Sequence, residues 1–339
     1  MARTFGWMRQ KPDHRDWLYV APRRLLKALP ASADVSANLP LPMNQADLGA
    51  CGPFTAKECI CYDQQIEKLA VVGASPLFTY WNTRYLMGTV GQDSGVDNRT
   101  MLKALGKWGF CPDSLWPYHT SAFQTKPDQA AYDAAVTNKI TSYAVVPKSL
   151  DQMKACIVSG FPFLFGFDVF PQMESAQAET TGILTMPAGN SIGGHDVSVC
   201  GFNATGGNLP GVLPGNVWPN NTFKFLNHWL GSSGKPWGDA GFGYIPFAYS
   251  VGSHADDFWV INAVPGGPPS PPVPPPVPPP EPIPSPPVPV PSTKLFSFAL
   301  PRAVKAGGVI TMRPPVNMPR ATYDVLSHLT SFVDVEIAD

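Results

Sequence analysis

Residues 51–72 (CGPFTAKECICYDQQIEKLAVV) read as an apolar helix in which Gly52 and Pro53 fit only the first turn, where backbone N–H groups lack intrahelical partners. Residues 96–109 (VDNRTMLKALGKWG) read as a second helix, with Asp97 or Asn98 as its cap and Gly109 near its stop. Residues 128–139 and 149–160 read as two more. After residue 160 the pattern changes to short apolar or alternating runs at 161–170, 195–202, 222–227, 242–247 and 256–261, separated by Gly, Asn and Pro turns. A helix-rich first half and a strand-rich second half predict an α+β fold with two lobes rather than alternating βαβ units.

The pattern stops at residues 265–291, where 17 of 27 positions are proline. Such a segment forms no packed core, and it reads as an extended polyproline II spacer reaching roughly 80 Å. Its PxxP content also suits SH3-like modules, although a plain spacer is the simpler reading. The expected organisation is an N-terminal extension (1–40), a globular domain (41–263), a Pro-rich linker (264–291) and a small strand-containing C-terminal module (292–339). The last is short for an independent core and suggests an anchoring partner.

Composition removes several functional classes. A formal charge of −1 over 339 residues gives no global attraction to nucleic acid or an anionic membrane. Seven Arg or Lys among the first 27 residues make one basic arm, expected to be solvated. No apolar stretch has signal-peptide or membrane-spanning length, so the expected location is cytoplasmic or reached by non-classical export. Six cysteines without framework spacing fit a reducing compartment. Cys59 and Cys61 stand two apart on a helix and have no matching pair at zinc spacing; they read as packing thiols, and no metal or cofactor is expected.

Chemistry concentrates in three places. In Asn44-Gln45-Ala46-Asp47-Leu48-Gly49-Ala50-Cys51 a glycine turn delivers a cysteine to a helix N-terminus, where the helix dipole favours the thiolate. The Gln45 amide and the Cys51 backbone N–H can supply two donors to an oxyanion. In Gly193-Gly194-His195-Asp196-Val197-Ser198-Val199 a histidine enters an alternating strand and projects to one face, placed to act as general base and then acid. Asn227 ends the run Phe223-Lys224-Phe225-Leu226 and can orient that imidazole, while Trp229 and Trp237 can shield the bond from water. His228 is the weaker alternative for the base, since a strand would turn it to the opposite face. Cys156 and Cys200 read as core residues.

Gln-x5-Cys, Gly-His-x-Val and Asn-x-Trp…Trp-Gly-x-x-Gly occur here in the order of the papain (C1) cysteine peptidases, which the chain resembles over about residues 5–262. The stretches PDHRDWLY, MGTVGQDSG, GFCPDSLWPY and GFGYIPFAYS are most similar to bacterial papain-like peptidases lacking the usual inhibitory propeptide. The resemblance implies two lobes with a cleft between them and hydrolysis of peptide or protein substrates through a Cys51 thioester. By position it makes His195 the base, Asn227 the orienting residue and Gln45 the oxyanion amide. Leu48 stands where many secreted members carry a disulfide cysteine. Gly52-Pro53, Asp196 and His228 depart from the family pattern, as does the long loop between His195 and Asn227. These departures bear on substrate preference and keep two alternatives open, a non-catalytic binding scaffold and a transamidase on the same dyad.

Overall fold

The computed structural model describes residues 3–205 and 218–264; the Pro-rich segment and the C-terminal module expected from sequence lie outside the described residues. Helix α1 is a single turn, Arg23–Leu26. Helix α2, Cys51–Ile66, is buried from Cys51 to Gln64. Being enclosed on all sides explains its lack of an amphipathic stripe. It stops six residues before the expected end. Lys68 adopts a left-handed φ of 56°, and the Leu69 N–H turns back to the Gln64 carbonyl at 2.8 Å.

Helix α3, Pro76–Met87, has no counterpart among the helices read from sequence, although its signals are present. Ser75 caps it by accepting from the Phe78 N–H, Pro76 opens it, and Gly88 closes it at φ 73°. Helix α4, Asn98–Trp108, lies where expected, with Asp97 as the cap accepting from the Thr100 N–H at 2.8 Å. Helices α5 (Gln129–Ala135) and α6 (Leu150–Val158) fall inside their expected windows, and α7 (Ala176–Thr181) and α8 (Phe247–Val251) are short additions.

The strands are β1 (Ser32–Asp34), β2 (Ser142–Val145), β3 (Phe163–Val169), β4 (Gly193–Asn203), β5 (Thr222–Leu226), β6 (Phe242–Pro246) and β7 (Ala255–Ala263). They form one antiparallel sheet in the order β2-β7-β3-β4-β5-β6, with β1 paired to β4. Alternation along β3 separates two cores. Phe163, Phe165 and Phe167 pack with Val197, Val199, Phe223 and Phe225 in the β lobe. Leu164 faces the other way, joining Phe54, Ile60, Met101 and Leu105 of the helical lobe. The short β1 is secured by Lys224, whose buried Nζ pairs with Asp34 at 3.0 Å. Among the described residues no helix is long and apolar enough to cross a membrane.

Candidate active site

Cys51 is the first residue of α2, at the seam between the lobes. The turn before it is fixed by Asp93, whose carboxylate accepts from the Gly49 N–H at 3.0 and 3.1 Å. Its sulfur is completely buried, with the backbone N–H groups of Gly6, Asp196 and Gly52 near enough to favour its thiolate. The Asp196 contact places the thiol against the strand that carries His195.

His195 lies on β4 opposite Phe167 of β3, and Asn227 is the first residue after β5. Because β4 and β5 are neighbours, the two side chains meet, with His195 Nε2 3.0 Å from Asn227 Oδ1. The amide oxygen only accepts, so Nε2 carries the proton and Nδ1 is left as the basic nitrogen. Nδ1 has no hydrogen-bond partner among the described residues. The Trp229 indole stacks on the imidazole at 4.2 Å, and Trp237 meets Trp229 edge-on at 6.0 Å. These rings exclude water from the His195–Asn227 bond.

The cleft is filled by the chain's own N-terminus. The Trp7 N–H donates to the Gly194 carbonyl at 2.9 Å, the Met8 N–H to Val96 at 2.9 Å, and the Val96 N–H to Gly6 at 2.8 Å. Gly6 lies directly on the turn before α2, where a Cβ would stand 2.0 Å from the Gly49 carbonyl oxygen. Trp7 sits on Gly166, where a Cβ would come within 2.1 Å of its indole nitrogen, and that indole donates to the buried carboxylate of Asp257 at 3.1 Å. The basic arm is thus docked through its backbone over at least residues 3–10, while six of its seven cations stay exposed as expected and Arg3 alone is half-buried.

This occupancy reverses the expected thiolate. Burial, reinforced by nearby Asp196, pushes the Cys51 thiol up to about 12, although the three N–H groups pull partly the other way. His195 is held well below its ordinary value by burial and then by nearby His228, with Asn227 opposing. In the filled cleft both partners are neutral.

No family model matches the chain. It is 30% identical over 293 residues to an uncharacterized peptidase C1-like protein of Acanthamoeba polyphaga mimivirus, covering 78% of this chain and 88% of the relative. This chain belongs to the papain-like cysteine peptidases. Xylellain, a cysteine protease from Xylella fastidiosa, is 28% identical with a TM-score of 0.66, over 76% of this chain and 95% of that one. Procathepsin B from Trypanosoma congolense shares the fold at 16% identity and a TM-score of 0.58, over 75% and 85% of the two chains.

In this peptidase Gln45 sits beside Trp229, accepting from its indole N–H at 3.1 Å. Its amide protons go to the carbonyls of Leu48 at 3.0 Å and Thr4 at 3.3 Å, so neither is free while the N-terminus is docked. Asp196 is fully buried, accepts from the Phe165 N–H at 3.2 Å, and is pushed up to about 8 chiefly by burial. His228 is turned away from the His195–Asn227 bond toward Glu58, at 3.3 Å. Among the described residues no group of three or more His, Cys, Asp or Glu side chains is placed to hold a metal.

Several contributors escape motif reading. Tyr80 donates to the Asp93 carboxylate and accepts from the Gly95 N–H at 3.1 Å, tying the turn before Cys51 to the opposite rim. Glu58 follows Cys51 by seven positions, two helical turns along the same face. That spacing was the available signal. Nothing local marks Tyr80 or Asp93.

Proposed function

We propose that the peptidase hydrolyses peptide bonds with Cys51 as nucleophile, His195 as general base and acid, and Asn227 as the residue that orients His195. The observation that carries this reading is the 3.0 Å His195–Asn227 bond under Trp229, on a strand whose next N–H lies near enough to the Cys51 sulfur to favour its thiolate. His195 Nδ1 takes the thiol proton as sulfur bonds to the scissile carbonyl carbon. The resulting oxyanion accepts from the Cys51 backbone N–H and the Gln45 amide, which is released once Thr4 withdraws. Collapse expels the amine with the proton from His195, leaving a thioester at Cys51. Water then attacks, giving its proton to His195, and the acid departs as the sulfur regains a proton.

The docked N-terminus acts on this reading as a built-in occupant that substrate must displace. The Gln45 donor now spent on the Thr4 carbonyl supports that view, since a substrate needs the same proton.

The test is labelling by an epoxysuccinyl probe, with the modified residue located by mass spectrometry. Wild type and a Gly6→Ala chain, designed to open the cleft, are compared with Cys51→Ala and His195→Ala. Labelling confined to Cys51 and lost in both alanine variants is the expected result. A folded Gly6→Ala chain that takes up no probe would sink the assignment.

A further inference from the structure

Arg3 does not trail into solvent as an N-terminal arginine ordinarily would. Its guanidinium lies 4.8 Å from the centre of the Trp229 ring. Nη1 pairs with Glu174 Oε1 at 3.2 Å, and Nη2 donates to the Leu230 carbonyl at 3.1 Å. Beside it opens a cavity of about 360 Å³ bounded by Asn44, Glu179, Trp229 and Ser232. On the cavity wall itself stands a second carboxylate, Glu179, fixed by the Ser232 N–H and by its hydroxyl at 2.5 Å, while Glu174 meets Arg3 from outside that wall. Among the described residues that line the cavity, Arg3 is the single cation. An aromatic face, two carboxylates and an outward carbonyl complement a planar guanidinium.

We infer that this is a substrate subsite selecting an Arg or Lys side chain on the leaving-group side of the scissile bond, with Glu174 as its specificity-determining residue. The inference rests on the peptidase reading above.

The side follows from geometry. His195 hands its proton to the departing amine, so that half of the substrate lies along the His195 flank, which Trp229 covers by stacking on the imidazole at 4.2 Å. The other half faces the Val96 rim, where Gly6 and Met8 now pair. Arg3 is three residues from Gly6, which sits at the sulfur, a reach of roughly 10 Å when extended. A basic side chain one to three residues beyond the cut therefore reaches the position Arg3 holds.

The test uses the full chain carrying Arg3→Ala, which vacates the subsite. It is offered quenched peptides that differ only in Arg, Lys, Ala or Glu at each of the first three positions after the cut. Arg and Lys should raise kcat/KM over Ala by about three- to tenfold, the range of a partly exposed ion pair joined to a cation–π contact. Adding Glu174→Gln should shrink that ratio toward one. Equal rates for Arg and Ala peptides, or a preference unmoved by Glu174→Gln, overturn the subsite while leaving the peptidase reading intact. If no peptide is cut, binding of N-acetyl-arginine amide to the Arg3→Ala, Cys51→Ala chain decides by calorimetry. Binding weakened by Glu174→Gln upholds the subsite although turnover failed; absence of binding overturns it.

Discussion

His228 Nδ1 lies 3.3 Å from Glu58 Oε1, and both side chains are completely shut off from solvent. Ser198 donates to the other carboxyl oxygen at 2.5 Å, and Phe54 stacks on the imidazole at 5.4 Å. The His228 ring is also 5.0 Å from His195, and its backbone N–H donates to Asn227 Oδ1 at 2.9 Å. A buried acid–base pair thus stands directly behind the proposed catalytic residues. Burial pushes Glu58 up to about 8, against the relief given by Ser198 and Lys57, and pushes His228 down to about 3. Near neutrality the pair is uncharged, with the Glu58 hydroxyl donating to Nδ1. An ion pair in its place would set a positive charge beside His195 and work against the imidazolium that catalysis forms.

The sign of the pH effect follows from these shifts. Stability from a neutral Glu58 is fully present below its ordinary 4.5 and is lost as pH rises through about 8. Stability from a neutral His228 is present above 6.5 and is lost as pH falls through about 3. Glu58→Gln cannot ionise, so its melting temperature should decline less between pH 6 and pH 9 than that of wild type. The decline is lessened rather than abolished, because Asp196 and Asp257 are also raised by burial, to about 8 and about 7. Thermal melts across that range check it. An unchanged alkaline slope would mean that Glu58 is already ionised against a charged His228.

Gly6→Ala should expel the N-terminal segment. The new Cβ would stand 2.0 Å from the Gly49 carbonyl oxygen and 2.3 Å from its carbon, and backbone on both sides leaves no side chain to give way. Cys51 would regain solvent, the burial that holds its thiol at about 12 would be relieved, and probe labelling should accelerate at least tenfold. Faster limited proteolysis within residues 3–10 should accompany it. A labelling rate equal to that of wild type would show that the docked segment does not restrain the site.

Tyr80→Phe removes the hydroxyl that joins Asp93 to the Gly95 N–H. Asp93 loses its second anchor while still holding the Gly49 N–H, and the Gly95 N–H loses its partner. The expected destabilisation is about 1–3 kcal/mol, read from the urea midpoint. In the Gly6→Ala background, Cys51 labelling should also slow, because the turn before the thiol is no longer tied to the opposite rim. Unaltered labelling with the stability loss present would make the tie structural only.

Much of the site was legible because its chemistry follows local rules. A glycine turn before an apolar helix places Cys51 at a helix start, alternation places His195 on one strand face, and Asn227 directly follows the neighbouring strand. Asp97 as a cap needed only its spacing to Thr100. The elements that escaped are short or lean on distant partners. Strand β1 exists through its pairing with Ala33↔Phe202 and the buried Lys224–Asp34 ion pair.

The sequence by itself determined the two-lobed α+β class, the order of the catalytic candidates and the helix and strand that carry them, since those depend on periodicity and turn chemistry within a few residues. Only the tertiary structure decided the protonation state and access of the site. Burial by residues 3–8, the Glu58–His228 pair and the Tyr80–Asp93 tie join positions far apart along the chain, and desolvation acts through space. Cys51 does open helix α2, but whatever the helix dipole offers its thiolate is outweighed by closing off water around the sulfur.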